Sequence, residues 1–402
     1  MTPTPLAQAS PAQSTQPLQS QSQDQSRFRP QPPADPLQSQ SSQPQSQPPV
    51  SSLSFTAQTA PVPSVTPAQP DVPEPEVLDA IAADPLSNRP RISSIVLCAV
   101  LGLALLALGA LTWWLAVRTE MGQQFDDLAL SSFASVMPGW MSAPTVLGLP
   151  LGSSWMMIAV AAVLAVAGLV VALVRRRWWL AGQIVVFALV AYAAAKVLKE
   201  VLPREALVRT AVTESGVPLG NTSPSGHAAL TIVAALALTC AVPRCARAVT
   251  ALLTGAWTVL VSALLIAWGW HRPSDVVVAY LLAGGLALVA LAFTRVSGMD
   301  RPGSRAASPG VQVTCSVLVT AAVMGLLYGA YVIWQLVPGL EVGAEWAQTS
   351  VCAASMVMIA STAALVFGVT LALRQLTASP LSRVGLLGAP PAPPKASGRA
   401  RA

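Results

Sequence analysis

Charge is scarce in these 402 residues: Asp, Glu, Lys and Arg together make up 10%, against about a quarter in soluble domains. An ordinary soluble enzyme is thereby excluded. Histidine is scarcer still, with only His227 and His271, and the lysines are Lys196, Lys199 and Lys395. Aromatic residues are 5%, and no basic stripe interleaves with them. No nucleic-acid partner is therefore expected, although the pI is about 9.4. The five cysteines, Cys98, Cys240, Cys245, Cys315 and Cys352, show no C-x-x-C pairing and lie in apolar runs or beside a basic turn. They read as packing residues, with neither a disulfide framework nor a metal cluster. The first residues lack a basic stretch followed by an apolar core, so no signal peptide is expected.

What the chain does have falls into two parts. Of the first 50 residues, 33 are Pro, Gln or Ser. Residues 1–90 bury too little apolar surface to offset the entropy of ordering, and a disordered cytoplasmic tail is expected there. From Ile92 onward, eight apolar runs recur, at about 92–117, 155–174, 178–198, 226–242, 249–270, 275–294, 311–336 and 349–373. Each approaches the ~20 residues that cross a bilayer, and unpaired backbone groups are not tolerated in hydrocarbon, so all should be helices. The expected fold is all-α, a polytopic membrane bundle of about eight helices. The fourth run is short and should extend into its flanking turn. Arginines at 89, 91, 175–177, 244, 247, 295, 301, 305 and 374 fall on one side of eight spans, which makes that side cytoplasmic and places both termini there. The opposite loops carry Glu120, Asp126, Asp127, Glu341 and Glu345. A basic C-terminal tail, 375–402, should be disordered.

The remaining polar residues gather at the outer edge. The third run ends in AAAKVLKEVLPREALVR, which places Lys196, Lys199, Arg204 and Arg209 outside, against the charge bias. Snorkelling at a helix end is the plain explanation for such residues. The next segment, GNTSPSGHAAL, lets Thr222 or Ser223 cap a helix with Pro224 in its first turn. That arrangement leaves the N–H groups of Ser225, Gly226 and His227 free, and such an N-terminus attracts anions. The fifth run ends in WHRPSD, where Asp275 stands four residues after His271 and can fix its tautomer. The fourth and fifth runs are joined by the short PRCARA turn and should be antiparallel neighbours. His227 opens one and His271 closes the other, so both histidines should meet at one membrane face.

Two imidazoles, one paired with a carboxylate, beside cations and a helix N-terminus suit phosphoryl transfer. No metal or other cofactor is required, and two histidines with one aspartate are too few ligands for a catalytic zinc. At residues 178–294 the chain resembles the type-2 phosphatidic acid phosphatase superfamily, through PSGH at 224–227 and H-x-x-x-D at 271–275. The resemblance implies a membrane lipid phosphatase domain at 91–294, with two additional transmembrane helices at 295–374. It implies His271 as nucleophile through a phosphohistidine, Asp275 as its orienting partner, His227 as general acid, and Ser225 and Gly226 in contact with phosphate. Lys196, Lys199, Arg204 and Arg272 are the candidate phosphate-binding cations. The substrate implied is a lipid phosphate or pyrophosphate monoester at the outer face of the cell membrane.

The sequence also departs from that pattern. The family's first motif is Lys, six residues, then Arg-Pro. Here Lys196 stands eight before Arg204, Lys199 five before it, and Glu205 takes the place of the proline. The family's Ser-Arg pair, six to seven residues before the second histidine, is replaced by Leu264 and Leu265. Arg272, Arg209 or a lysine would have to substitute. That loss motivates an alternative, a non-catalytic lipid-phosphate binder or transporter. A serine hydrolase built on Ser225, His271 and Asp275 is a third reading.

Overall fold

A computed structural model describes residues 90, 92–141, 143, 150, 153–207, 221–300, 308–341 and 344–379. The tail expected at 1–90, apart from Pro90, lies outside the described residues, as do Arg209 and residues 380–402. Among the described residues there are nine α-helices, two 3-10 turns and no strand. The helices are α1 (Ile92–Val117), α2 (Glu120–Val136), α3 (Ser154–Val174), α4 (Trp178–Val201), α5 (Gly226–Ala241), α6 (Arg244–Ala267), α7 (Pro273–Ala292), α8 (Pro309–Glu341) and α9 (Glu345–Ala378). Seven of them, all but α2 and α5, are long and apolar enough to cross a membrane, and α5 is a shorter apolar helix. The described residues are thus all-helical, and their apolar helices make the chain a multi-pass membrane protein.

The bundle is built around α7, the most buried of the long helices, which touches α1, α4, α5 and α9. Small residues permit its closest contact. A Cβ on Gly285 would stand 2.8 Å from the carbonyl oxygen of Gly102, so α1 and α7 touch backbone to backbone there. Tyr280 ties α7 to α6 by donating to the Thr258 carbonyl at 2.7 Å, with the Ser262 hydroxyl 2.6 Å away. α8 packs on α9 and exposes most of its surface. The five cysteines are free thiols.

Helix α2 corrects the reading of residues 120–136 as part of an outer loop. Thr119 caps it, accepting from Gly122 N–H at 3.0 Å. Gln123, Asp126, Asp127, Leu130 and Phe133 are buried at helical spacing. The buried stripe is partly ionic, so hydropathy alone cannot distinguish it from a loop.

α5 also departs from expectation. Its 16 residues span roughly 24 Å, short of the ~30 Å hydrocarbon layer. It stops at Ala241 instead of running through the turn, and α6 begins at Arg244, just after Pro243. Arginines reach in to its orphaned carbonyls: Arg175 Nη1 to Ala241 O at 2.7 Å and Arg374 Nε to Cys240 O at 3.1 Å. Beside them, Asp300 accepts from Arg177 at 3.1 Å and from Arg247 at 3.1 and 3.3 Å, and pairs with Arg244 at 3.6 Å. The last helix closes the same end, with Asp300 N–H on Ala378 O at 2.6 Å. α9 therefore runs past 374, where the C-terminal tail was expected to begin.

Candidate active site

The opposite end of the bundle gathers the rare polar residues. Ser225 is the N-cap of α5, its side chain accepting from Ala228 N–H at 3.3 Å. This corrects the assignment of the cap to Thr222 or Ser223. The Ser225 N–H is not free either: it donates to the Asp275 carbonyl at 3.0 Å. Ser225 is fully buried, which also counts against a nucleophilic serine. Gly226, exposed, and His227, half-buried, open the helix proper, where backbone N–H groups lack intrahelical partners. The Ser223–Pro224 peptide is cis. Asn221 anchors the loop, donating to Lys199 O at 3.2 Å and Ser223 O at 2.8 Å.

The second histidine is delivered by a left-handed turn. Gly269, with φ at +69°, ends α6 and turns the chain back, and Trp270 N–H returns to Leu265 O at 2.9 Å. His271 follows, then Arg272 as N-cap of α7 with Pro273 at its first position. The carboxylate of Asp275 closes this start by accepting from Arg272 N–H at 3.1 Å. The same oxygen, Oδ2, accepts from Thr222 Oγ1 at 2.6 Å and lies 3.5 Å from His271 Nδ1. Asp275 is fully buried, and His271 is 7% exposed. The two imidazole centroids lie 6.2 Å apart, edge on, with Trp270 packed 5.7 Å from His227. The chain's two histidines therefore do converge at one end of the bundle.

The candidate cations divide into two groups. Lys196 is exposed, with its Nζ 5.8 Å from the Tyr192 ring, and Lys199 is half-buried. Together with Pro224 and Gly226 they line the head of a groove between α4 and α5, whose flank is Ala188, Leu230 and Val233. Arg204 and Arg272 are buried instead. Arg272 Nε donates to Asp127 Oδ1 at 2.8 Å, and Arg204 Nη2 lies 3.7 Å from the same oxygen. Arg204 Nη1 is buried with no hydrogen-bond partner. Leu264 and Leu265, in the places of the family's Ser-Arg pair, are buried in the bundle core.

Four further residues join the site without a role that the sequence alone assigns. Gln123, Asp126 and Asp127 approach from α2, and Thr222 from the loop before α5. Asp126 takes both the N–H (3.2 Å) and the hydroxyl of Ser274. Burial, reinforced by the charge of Asp275, pushes the Asp126 carboxyl up to about 7. Their one signal in the sequence is a pair of adjacent carboxylates in a chain nearly devoid of charge. Among the described residues, no three His, Cys, Asp or Glu side chains gather as a metal site.

Residues 201–298 match the sequence model of the PAP2 superfamily, in support of the type-2 phosphatidic acid phosphatase resemblance. The matched stretch contains Arg204, both histidines and Asp275, and leaves Lys196, Lys199 and α2 outside it. The match implies phosphatase activity on phosphate esters in general. No curated protein and no solved structure matches the chain.

Proposed function

Proceeding from the PAP2-superfamily match at residues 201–298, we propose that the protein hydrolyses a lipid phosphate or pyrophosphate monoester through a phosphohistidine, at the outer face of a cell membrane. The observation that carries this reading is the meeting of His227, His271 and Asp275 at one end of a membrane bundle. Asp275 holds the proton on His271 Nδ1, which leaves Nε2 with its lone pair for phosphorus. Attack by Nε2 forms the N–P bond and breaks the bond from that phosphorus to the leaving oxygen, which is the lipid's own in a monophosphate and the inner phosphate's in a pyrophosphate. His227, as imidazolium, protonates that leaving oxygen. Water then attacks the phosphohistidine, His227 takes its proton, and phosphate leaves with the N–P bond broken. Lys196, Lys199, Arg204, Arg272 and the N-terminus of α5 at Gly226 balance the charge on the equatorial oxygens, while Ser225, buried and already bonded to the Asp275 carbonyl, caps that terminus and does not touch phosphate.

A lipid, more than a soluble ester, suits the α4–α5 groove, where lysines and Gly226 stand above an apolar flank. The side assignment rests on the arginines around Asp300 at the far end, which favour the cytoplasm together with both ends of the described bundle. The replacement of the Ser-Arg pair by Leu264 and Leu265 favours a second reading, a binder that holds the lipid phosphate without cleaving it. Phosphate release from phosphatidate and from a polyprenyl pyrophosphate, with wild-type protein and His271→Ala, separates the two. Turnover abolished by the substitution is expected; equal rates overturn the phosphatase, and tight binding without release from wild type favours the binder.

A further inference from the structure

We propose that α2 is a positioning element for the phosphatase site: Asp127 holds Arg272 and Arg204 toward the phosphate, and Thr222 carries that order to the Asp275–His271 pair. This rests on the phosphatase reading above.

Three buried residues on one face of α2, at i, i+3 and i+4, each hold a different part of the site. Gln123 grips the segment after α4, its Nε2 donating to Glu205 O at 2.7 Å and its Oε1 accepting from Leu207 N–H at 3.0 Å. Arg204 is thereby fixed at its backbone. Asp126 binds Ser274 at the start of α7. Asp127 takes the guanidinium of Arg272 at 2.8 Å and stands within ion-pair distance of Arg204. From Arg272 the contacts continue inward: its Nη1 lies 3.4 Å from Thr222 Oγ1, and Thr222 donates to Asp275 at 2.6 Å. Asp275 then faces His271 Nδ1. A line of polar contacts thus joins a carboxylate of α2 to the proposed nucleophile.

Donor capacity gives this line a purpose beyond holding helices together. One carboxylate, Asp127, stands between two guanidiniums, and Arg204 retains a buried N–H group without a hydrogen-bond partner. Asp126 and Asp275 also act on Arg204, so the charge of the pair is largely answered within the protein, and the open Arg204 donor is what remains for an anion. Arg272 directly follows His271 in sequence, in a chain whose Leu264 and Leu265 replace the family's Ser-Arg pair. Asp127 and Thr222 touch no reacting atom in this scheme. They act through Arg272, Arg204 and Asp275.

The test is steady-state hydrolysis of phosphatidate in mixed micelles by the full-length protein, across pH, for wild type, Asp127→Ala, Asp127→Asn and Thr222→Val. Loss of orientation in Asp127→Ala should raise KM and lower kcat/KM by about tenfold to a hundredfold. Asp127→Asn, which keeps an oxygen for Arg272 Nε, should recover most of that loss. Thr222→Val removes a donor from Asp275, strengthening its hold on the His271 proton, and should move the acidic limb of the pH–rate profile upward while KM changes little. If α2 is only structural, the variants yield less folded protein on gel filtration, but the folded fraction keeps wild-type KM and profile; that result overturns the positioning role alone. A lower KM in Asp127→Ala also overturns it, because Asp127 would then compete with phosphate. No phosphate release by wild type overturns the phosphatase reading and the positioning role with it.

Discussion

Two aspartates at opposite ends of the molecule respond to pH with opposite sign. Burial, then the Asp275 charge, raises Asp126 to about 7, so its folded-state proton is held far above the unfolded range. The stability tied to that proton is complete below about pH 4 and is lost as pH rises through about 7. Asp126→Asn should therefore flatten the dependence of Tm on pH over that window; an unchanged slope contradicts the assignment. Asp300 is also buried, but Arg247, Arg374 and Arg177 hold its carboxyl below the usual range. Its contribution is present above about pH 4 and fades on acidification. Asp300→Ala leaves several buried guanidiniums without their carboxylate and should cost about 3–5 kcal/mol, read from chemical denaturation in detergent. A loss under 1 kcal/mol would mean that the arginines are held by carbonyls alone. His227, His271 and Asp275 could be singled out from sequence because so few polar residues compete with them. Thr222 and Ser225 could not be ordered that way, since which hydroxyl caps α5 depends on the loop path that Asn221 fixes.

Among the helices, legibility followed apolar length. The seven long helices and α5 lie where apolar runs stand in the sequence, because hydrocarbon leaves a chain no other way to satisfy its backbone. Their ends were less legible. α6 starts at Arg244, and α8 and α9 run a turn or so beyond their apolar stretches, since polar residues continue a helix wherever partners or water meet them. α2 was invisible because the first half of its buried face is Gln123, Asp126 and Asp127, whose partners come from segments some 80 and 145 residues away. Only the folded chain brings those partners together. The α1–α7 contact carries its own prediction. A side chain on Gly285 meets Leu106 at 2.7 Å and Gly102 O at 2.8 Å. Gly285→Leu should cost about 1–3 kcal/mol by overpacking, measured as a drop in Tm. The same substitution at Gly182, where a Cβ meets nothing within 4 Å, should leave Tm nearly unchanged.

Across the whole molecule, the two ends of the bundle divide the work. One end spends arginines on the carbonyls of a helix too short for the bilayer and on Asp300. The other end assembles histidines, lysines and a carboxylate-braced arginine pair. With the arginine end in the cytoplasm, a cysteine at position 221, in protein whose five native cysteines are replaced by alanine, should react with an impermeant maleimide added outside intact cells. Labelling only after permeabilisation would invert the topology. The chemistry itself has a more direct readout. Rapid mixing of the purified protein with ³²P-labelled phosphatidate, followed by an alkaline quench, preserves an N–P bond that acid destroys. An alkali-stable, acid-labile label on His271 is expected, present in wild type and absent from His271→Ala. Turnover that persists in His271→Ala, or label found on Ser225, would contradict it.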